Sequence, residues 1–321
     1  MKPRHPDRAL LVLLLLAACG GGGGDGGASG GGAGQLPDLP ARRVSAATPV
    51  AAGCTGGSST GTLYANAEVE PFVAAHANDG NHLVAAWQQD RWSDGGSRAL
   101  VSAVSRDGGA TWQRTLQPMS RCGGALAGAA GDFERVTDPW VDVGADGSVH
   151  LLGLAINGAA LQPGSASAML ASRSTDGGRT WSAPAAINRI PGAAAFTPTL
   201  HVRADGLVGV MHYDLRSNTT DASTLLADAW LLSSRDGVAW TEAHVHGPFD
   251  MAAAPDARGL FLGDYQGLVS ANRTDIFAPR LDGISAARES PAAAHFARSE
   301  VPIADAARWA PRQVHCERPF L

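Results

Sequence analysis

Short apolar runs separated by turn signals fill most of the chain beyond about residue 60. In three places an apolar run, an Asp-Gly turn and a second apolar run follow one another, at residues 73–87, 141–155 and 200–213. Each of these is a strand–turn–strand pattern. A third apolar run follows each pair after a variable loop, at Ala99–Val104, Ala168–Ser172 and Ala229–Leu232. Almost no segment has a sustained 3.6-residue apolar period, so the pattern predicts an all-β domain.

A phrase built on Ser, Asp, Gly and Trp follows the third run of each unit. It reads SRDGGATW at 105–112, STDGGRTW at 174–181 and SRDGVAW at 234–240. A phrase repeated at long, similar intervals marks a supersecondary unit that is used several times. Each unit is therefore predicted to hold four antiparallel strands, with the phrase in the turn between the third and fourth. Such units predict a β-propeller, and a fainter fourth unit begins with a hairpin at 267–279, leaving 281–321 for its outer strands.

The phrase has structural roles of its own. An Asp in a tight turn accepts hydrogen bonds from backbone N–H groups, glycine allows positive φ, and the Trp ring can pack between neighbouring units. Because the copies would lie at separate places around a ring, a catalytic role for their Asp residues is not expected. The residues concerned are Ser105, Asp107, Gly109, Trp112, Ser174, Asp176, Gly178, Trp181, Ser234, Asp236 and Trp240.

The N-terminus predicts export. A basic stretch precedes an apolar segment, Ala9–Ala18, which is too short to span a membrane. The sequence Leu16-Ala17-Ala18-Cys19 resembles a bacterial lipobox, which implies cleavage before Cys19, lipidation of its thiol and anchoring at the cell envelope. An ordinary signal peptide is the alternative. The predicted organisation is a signal peptide at 1–19, a flexible glycine-rich linker at 20–52 and a propeller domain at 53–321.

Charge and cysteine content narrow the function classes. The net charge is −5 with no basic stripe, so a nucleic-acid partner is not expected. Outside the cytoplasm disulfides persist, and Cys54–Cys122 is the preferred pair because these residues flank the first repeat, with Cys316 left over; three separate thiols are the alternative. No cysteine has zinc-ligand spacing, and no metal or cofactor is predicted. The tetrad Asn78-Asp79-Gly80-Asn81 could bind calcium, but a tight turn explains it better.

The phrase S-x-D-x-G-x-x-W resembles the Asp box of the sialidase superfamily. Residues 105–112 and 174–181 match it fully, whereas 234–240 is one residue shorter. Further segments resemble exported bacterial BNR-repeat proteins of that family: AEVEPFVA (67–74), AAWQQDRW (85–92), ERVTDPWV (134–141), HYDLRSNT (212–219) and FLGDYQGL (261–268). The resemblance implies a sialidase-like propeller, usually of six blades, of which four are visible here. The family's arginine triad cannot be assigned.

Propeller geometry places first-strand starts and second-strand ends on the face opposite the Asp boxes. The resemblance implies a tyrosine nucleophile activated by a Glu, with an Asp as acid and base. On that face the catalytic candidates are Glu70, Asp90 and either Tyr213 or Tyr265. The predicted substrate-binding residues are Glu68, Gln88, Arg91, Trp92, Asp138, Trp140, Asp214, Arg216 and Asp264. Structural roles compete for each residue: Asp90-Arg91 could form an inter-blade salt bridge, and Tyr213-Asp214 could cap a strand.

Three functions are compatible with the sequence. The first is an exported sialidase-like glycoside hydrolase that acts on terminal sugars of glycans, with carbohydrate as partner and the membrane contacted only through the lipid anchor. The second is a non-catalytic cell-surface propeller that binds glycan or protein. The third is a shortened family member with a mainly structural role. Fold alone does not choose among them.

Overall fold

A computed structural model describes residues 42–58, 61–158, 166–255, 260, 262–263, 265–271, 275–282 and 293–300. The predicted signal peptide, Cys19 and most of the predicted linker lie outside the described residues, as do Asp264 and Cys316. Across the described residues, no helix has the length and apolar character needed to cross a membrane.

Three consecutive four-stranded antiparallel units form what we call blades 1, 2 and 3. A single pair of residues, Ser97 and Val136, joins blades 1 and 2 into one eight-stranded sheet, and blade 3 is a separate four-stranded sheet. Blade 1 contains β1 (Leu63–His76), β2 (Asp79–Trp92), β3 (Ser97–Ser105) and β4 (Gln113–Gln117). Blade 2 contains β5 (Arg135–Val143), β6 (Val149–Asn157), β7 (Ala166–Ser174) and β8 (Ala185–Ala186). Blade 3 contains β9 (Ala195–Val202), β10 (Val208–Asp214), β11 (Leu226–Ser234) and β12 (Thr241–Asp250), followed by a 3₁₀ turn at Met251–Ala253.

A fourth sheet has three antiparallel strands among the described residues, β13 (Val269–Ala271), β14 (Asp275–Asp282) and β15 (Ala293–Glu300). The hairpin and an outer strand are present where the sequence predicts them, and residues 301–321, which were left for the other outer strand, lie outside the described residues. All the hairpins of blades 1 to 3 match the apolar runs and turns of the sequence. The propeller-type arrangement of antiparallel blades is therefore confirmed.

The hydrophobic core lies between successive blades. One cluster joins Val84 and Val104 of blade 1 to Val141 and Leu151 of blade 2, and a second joins blade 2 to blade 3. All nine residues of β3 are buried because this strand is covered on both faces. A fully covered strand has a near-continuous apolar run rather than an alternation, which is what the sequence ALVSAV shows.

The segment before blade 1 packs against that blade. Val50 is buried beside Ala99, and Val44 packs beside Trp87 and Val101. The Thr48 backbone N–H donates to Asn66 Oδ1 at 2.8 Å. The packed chain therefore includes at least Val44 to Val50, where the sequence predicts a flexible linker. The Ala-rich composition of this segment gives no indication of these contacts.

A disulfide joins Cys54 to Cys122, with Cα atoms 5.7 Å apart, and this is the pairing favoured by the sequence. It connects the segment before blade 1 to the loop that leads from β4 to β5. Closing so long a loop restricts the unfolded chain and so favours the folded state.

The Asp boxes occupy the turns between the third and fourth strands. In blade 2, Asp176 Oδ1 accepts from the backbone N–H of Arg179 at 3.0 Å and of Thr180 at 2.9 Å, while Ser174 Oγ accepts from Gly178 N–H at 2.7 Å. A hydrogen bond from the Thr180 hydroxyl to Asp176 Oδ2, together with the backbone hydrogen bonds to Oδ1, holds the pKa of the Asp176 carboxyl well below its usual value. Trp181 packs against the core between blades 1 and 2, Trp240 packs against the core between blades 2 and 3, and Trp112 packs on blade 1 beside Val44.

The strand register shows how far the Asp boxes lie from the opposite ends of the blades. Ser105 of the first box pairs with Leu83, whereas Val69 pairs with Gln88, five residues further along β2. At about 3.3 Å per residue, the two levels lie roughly 16 Å apart. A site near Gln88 is therefore well removed from the Asp boxes.

Candidate functional site

Each innermost strand of blades 1 to 3 carries a residue in the left-handed region directly before a proline. These residues are Glu70 (φ 52°), Asp138 (φ 51°) and Thr197 (φ 46°), which precede Pro71, Pro139 and Pro198. In each blade the strand register shifts at this point, as in a β-bulge. Left-handed conformations of such residues cost about 1–3 kcal/mol each and cluster at functional sites. Their recurrence in three blades therefore indicates a candidate functional site at this position along the innermost strands.

All three left-handed residues line one pocket of about 90 Å³. The remaining lining residues are Pro139, Trp140, Gly263 and Tyr265. The pocket thus combines two carboxyl groups, two hydroxyl groups and two aromatic rings. Its volume is well below the about 300–1,000 Å³ of typical small-molecule sites, so it suits the end of a larger ligand.

Glu70 is held by residues of both blades 1 and 2. Its Oε2 accepts a short hydrogen bond from Gln88 Nε2 and a 3.3 Å bond from the backbone N–H of Asp138. Gln88 is fully buried and also donates to Thr137 Oγ1 at 2.8 Å, and Arg91 Nη1 donates to Gln88 Oε1 at 2.6 Å. Gln88 and Arg91 therefore orient Glu70 from behind instead of lining the pocket.

Asp138 and Trp140 form the blade 2 wall. Asp138 Oδ1 accepts from Thr137 Oγ1 at 2.8 Å. The Trp140 ring packs against Phe72, with centroids 4.3 Å apart and planes tilted by 48°. Phe72 follows Pro71 in blade 1 as Trp140 follows Pro139 in blade 2. In each blade the same local geometry therefore positions a carboxyl group before the proline and an aromatic ring after it.

The two tyrosine candidates differ sharply in exposure. Tyr265 lines the pocket and is 69% exposed. Tyr213 is 1% exposed and packs between Phe196 and Phe249, with centroids 5.5 and 5.7 Å away. Burial raises the pKa of Tyr213 to about 12, partly offset by a hydrogen bond with Gln266. Tyr213 is therefore a core residue, and only Tyr265 can meet a ligand.

Asp90 does not share this pocket. Its side chain is fully buried, and its carboxylate accepts hydrogen bonds from Thr48 Oγ1, Asn66 N–H, Gln89 Nε2 and Arg98. Burial opposes ionisation of Asp90, but these hydrogen bonds outweigh it, and the net pKa lies below its usual value. A saturated carboxylate that stays ionised is a poor acid catalyst, so the geometry argues against the predicted role and gives Asp90 a structural one.

Asp214 and Arg216 form an internal network in blade 3. Arg216 Nε donates to Asp214 Oδ2 at 2.8 Å, its Nη1 donates to Glu242 Oε2 at 2.7 Å, and its guanidinium stacks over Trp230 at 3.7 Å. Burial works against the charge of Arg216, yet these partners raise its pKa overall. With both carboxylates in place, Arg216 is not available to hold an anionic ligand.

Two more predicted residues also lie away from the pocket. Trp92 is 6% exposed and covers the guanidinium of Arg135 at 5.0 Å. Glu68 is partly buried and is not among the lining residues. Of the predicted residues that the structure describes, the pocket lining brings together only Glu70, Asp138, Trp140 and Tyr265.

Thr197 is the functional candidate that sequence reasoning missed. It lies before the first apolar run assigned to the third unit, so it fell outside the predicted strand. The signal was present in the sequence, because Glu70-Pro71-Phe72, Asp138-Pro139-Trp140 and Thr197-Pro198-Thr199 occupy corresponding places in three units. Aligning the units on the Pro rather than on the Asp box would have found it.

The site offers carboxyl groups, hydroxyl groups and aromatic rings. Within the described ranges, no group of three or more His, Cys, Asp or Glu side chains is arranged to hold a metal ion. A carboxylate beside a tyrosine can activate the phenol as a nucleophile, and a second carboxyl group can transfer a proton. Aromatic rings can cover the apolar face of a sugar.

Comparison with solved structures identifies the fold class. The microbial sialidase Hz136 from the Hadza superposes with a TM-score of 0.50 at 15% identity, over 74% of this chain and 45% of that one. Similarity also extends to the α-L-arabinanase of Penicillium chrysogenum (TM-score 0.46, 14% identity, 73% and 63% covered) and the Trypanosoma rangeli sialidase (0.43, 12%, 74% and 36%). No protein-family profile and no curated protein matches the chain.

The fold is thus a sialidase-like β-propeller, as the sequence predicts. The chain spans less than half the length of the Hadza sialidase. Identity at this level shows the fold and carries no assignment of activity.

Proposed function

We propose that this protein is a glycoside hydrolase of sialidase-like architecture that acts on a terminal sugar of a glycan. The observation that carries the proposal is the meeting of Glu70, Asp138 and Tyr265 in one pocket, with the two acids in strained left-handed conformations. The fold adds support, since solved glycosidases superpose on it. The small pocket volume favours the end of a chain over an internal sugar.

The proposed roles follow from position. Tyr265 is the nucleophile and Glu70 accepts its proton, a pairing that suits an exposed phenol beside a carboxylate held by Gln88. Asp138 replaces Asp90 as the acid that protonates the leaving oxygen and later activates water. Trp140 covers the sugar ring.

The test is hydrolysis of a panel of fluorogenic glycosides by the full-length chain and by Glu70→Gln. We expect at least a 100-fold loss of kcat/KM in Glu70→Gln, because a glutamine cannot take the phenolic proton. Glu68→Gln is the matched control, since Glu68 lies on the same strand but outside the pocket lining. Equal turnover by wild type and Glu70→Gln would refute the catalytic role, and absence of turnover on every substrate would refute the hydrolase.

A non-catalytic glycan-binding propeller is the second candidate. The burial of Asp90 and Tyr213 favours it, because half of the catalytic set predicted from the sequence is committed to structural contacts. This candidate predicts binding of glycans without release of sugar. In that case Glu70→Gln and Trp140→Ala would weaken binding on a glycan array, and no glycoside would be hydrolysed.

We also propose that the protein is exported and anchored to the bacterial cell envelope through Cys19. The support is the basic and apolar N-terminus that ends in Leu16-Ala17-Ala18-Cys19, together with a disulfide that suits an oxidising compartment. Metabolic labelling with a palmitate analogue should label the wild type and not Cys19→Ser. Equal labelling of both proteins would refute the anchor.

A further inference from the structure

Both charged side chains that line the pocket are carboxyl groups, Glu70 and Asp138. Among the described residues, no Arg, Lys or His lines it. Sites that bind sialic or uronic acids need a cation for the substrate carboxylate, usually an arginine in a bidentate pair. The lining therefore carries negative charge, which repels the carboxylate of an acidic sugar.

Three arginines at this end of blades 1 and 3 form hydrogen bonds and ion pairs within the protein. Arg91 Nη1 donates to Gln88 Oε1 and lies 4.0 Å from Glu70 Oε1, so its charge offsets at most one of the two carboxylates. Arg98 is buried and paired with Asp90, and Arg216 is paired with Asp214 and Glu242. The described residues that line the pocket therefore carry a net negative charge.

The lining offers a neutral sugar both hydrogen-bond acceptors and an apolar surface. Carboxylate oxygens of Glu70 and Asp138 accept hydrogen bonds from sugar hydroxyl groups, and such charge-assisted bonds are short and strong. Thr197 adds a hydroxyl group from the third blade, and Trp140 provides an apolar surface for a ring face.

We infer that the pocket selects a neutral terminal sugar and rejects sialic and uronic acids. The inference rests on the proposed function, since it specifies the substrate of the same site. Its physical cause is repulsion between a substrate carboxylate and the carboxylates of Glu70 and Asp138, which acts on binding before Asp138 takes up the proton that it donates in the catalytic step. Such repulsion at short range is only partly screened by salt.

Binding to the full-length chain by saturation-transfer NMR and calorimetry provides the test. The neutral probes are methyl glycosides of arabinofuranose, xylose, galactose and fucose; the acidic probes are methyl glycosides of N-acetylneuraminic and glucuronic acid. We expect the best neutral probe to bind at least tenfold more tightly than either acidic probe. The difference should shrink when the salt concentration rises.

The outcomes separate this inference from the proposed function. Acidic probes that bind as tightly as neutral ones would overturn the inference and leave a glycosidase standing. Failure of every probe to bind, with no glycoside hydrolysed, would overturn both. Asp138→Asn should narrow the gap between neutral and acidic probes about three- to tenfold, whereas Asp146→Asn, in the turn between β5 and β6, should not; an unchanged gap in Asp138→Asn would contradict the inference.

Discussion

The backbone N–H of Asp138 lies 3.3 Å from Glu70 Oε2, so left-handed Asp138 of blade 2 donates to left-handed Glu70 of blade 1. The bond forms where the pairing of β5 with β6 shifts register, between Thr137 and Trp140. Blade 2 thereby helps to position a carboxylate of blade 1. Thr197 has the same left-handed backbone, on the third wall of the pocket.

Thr197 should be strained in the native state. A β-branched residue at φ 46° is a backbone outlier. We expect Thr197→Gly to leave the free energy of unfolding unchanged or to raise it by about 1 kcal/mol, because relief of strain offsets the entropy of glycine. Glycan affinity should fall in the same variant. Urea unfolding and calorimetry measure the two effects.

Thr199→Gly is the matched control, since Thr199 is buried two residues further along β9 without positive φ. The free energy of unfolding of Thr199→Gly should fall by at least about 1 kcal/mol, because glycine destabilises an ordinary strand. If Thr197→Gly destabilises as much as Thr199→Gly, the conformation at Thr197 is not strained.

The Asp box should serve folding and not chemistry. Asp176→Ala removes the acceptor for two backbone N–H groups, which should lower the free energy of unfolding by about 1–2 kcal/mol. Turnover of the best glycoside at 20 °C should remain within twofold of wild type, since the box lies at the far end of the strands. A variant of wild-type stability with greatly reduced turnover would contradict this assignment.

His150 should make the fold sensitive to mild acid. Burial, assisted by the charge of Arg173 and opposed by Asp146 and Asp142, lowers the pKa of His150 to about 4. Between about pH 6.5 and 4 the unfolded chain binds this proton and the folded chain does not, so stability falls as the pH falls through that window. The loss amounts to about 3 kcal/mol, at 1.36 kcal/mol for each pKa unit.

His150→Gln should flatten this part of the pH profile, measured by urea unfolding at several pH values from 7.5 to 4.5. Some slope should remain, because burial also lowers the pKa values of His82 and His212. An identical slope in wild type and His150→Gln would show that His150 does not titrate as its environment indicates.

The fold could be predicted from the sequence because each blade repeats a local pattern. Hairpins, Asp-box turns and the Cys54–Cys122 pairing all depend on residues close in the chain or on repeat spacing. Their positions followed from apolar runs and from Asp, Gly and Trp at fixed offsets.

The site was only partly predictable, because the end of a blade at which a residue lies does not determine where its side chain points. Asp90 and Tyr213 lie at the predicted end of the blades, yet both side chains are buried. Residues distant in sequence hold them there, Thr48 for Asp90 and Phe249 for Tyr213. Conversely, Thr197 lines the pocket because β9 has a bulge at this residue, and the spacing of apolar residues does not predict that bulge.

The most direct test of the proposed site is turnover by Tyr265→Phe beside Tyr64→Phe. Both tyrosines are largely exposed, and only Tyr265 lines the pocket. On the best substrate of a glycoside panel, Tyr265→Phe should lose at least 100-fold in kcat/KM while Tyr64→Phe stays within twofold of wild type. Wild-type kcat/KM in Tyr265→Phe would contradict the assignment of this pocket as the catalytic site.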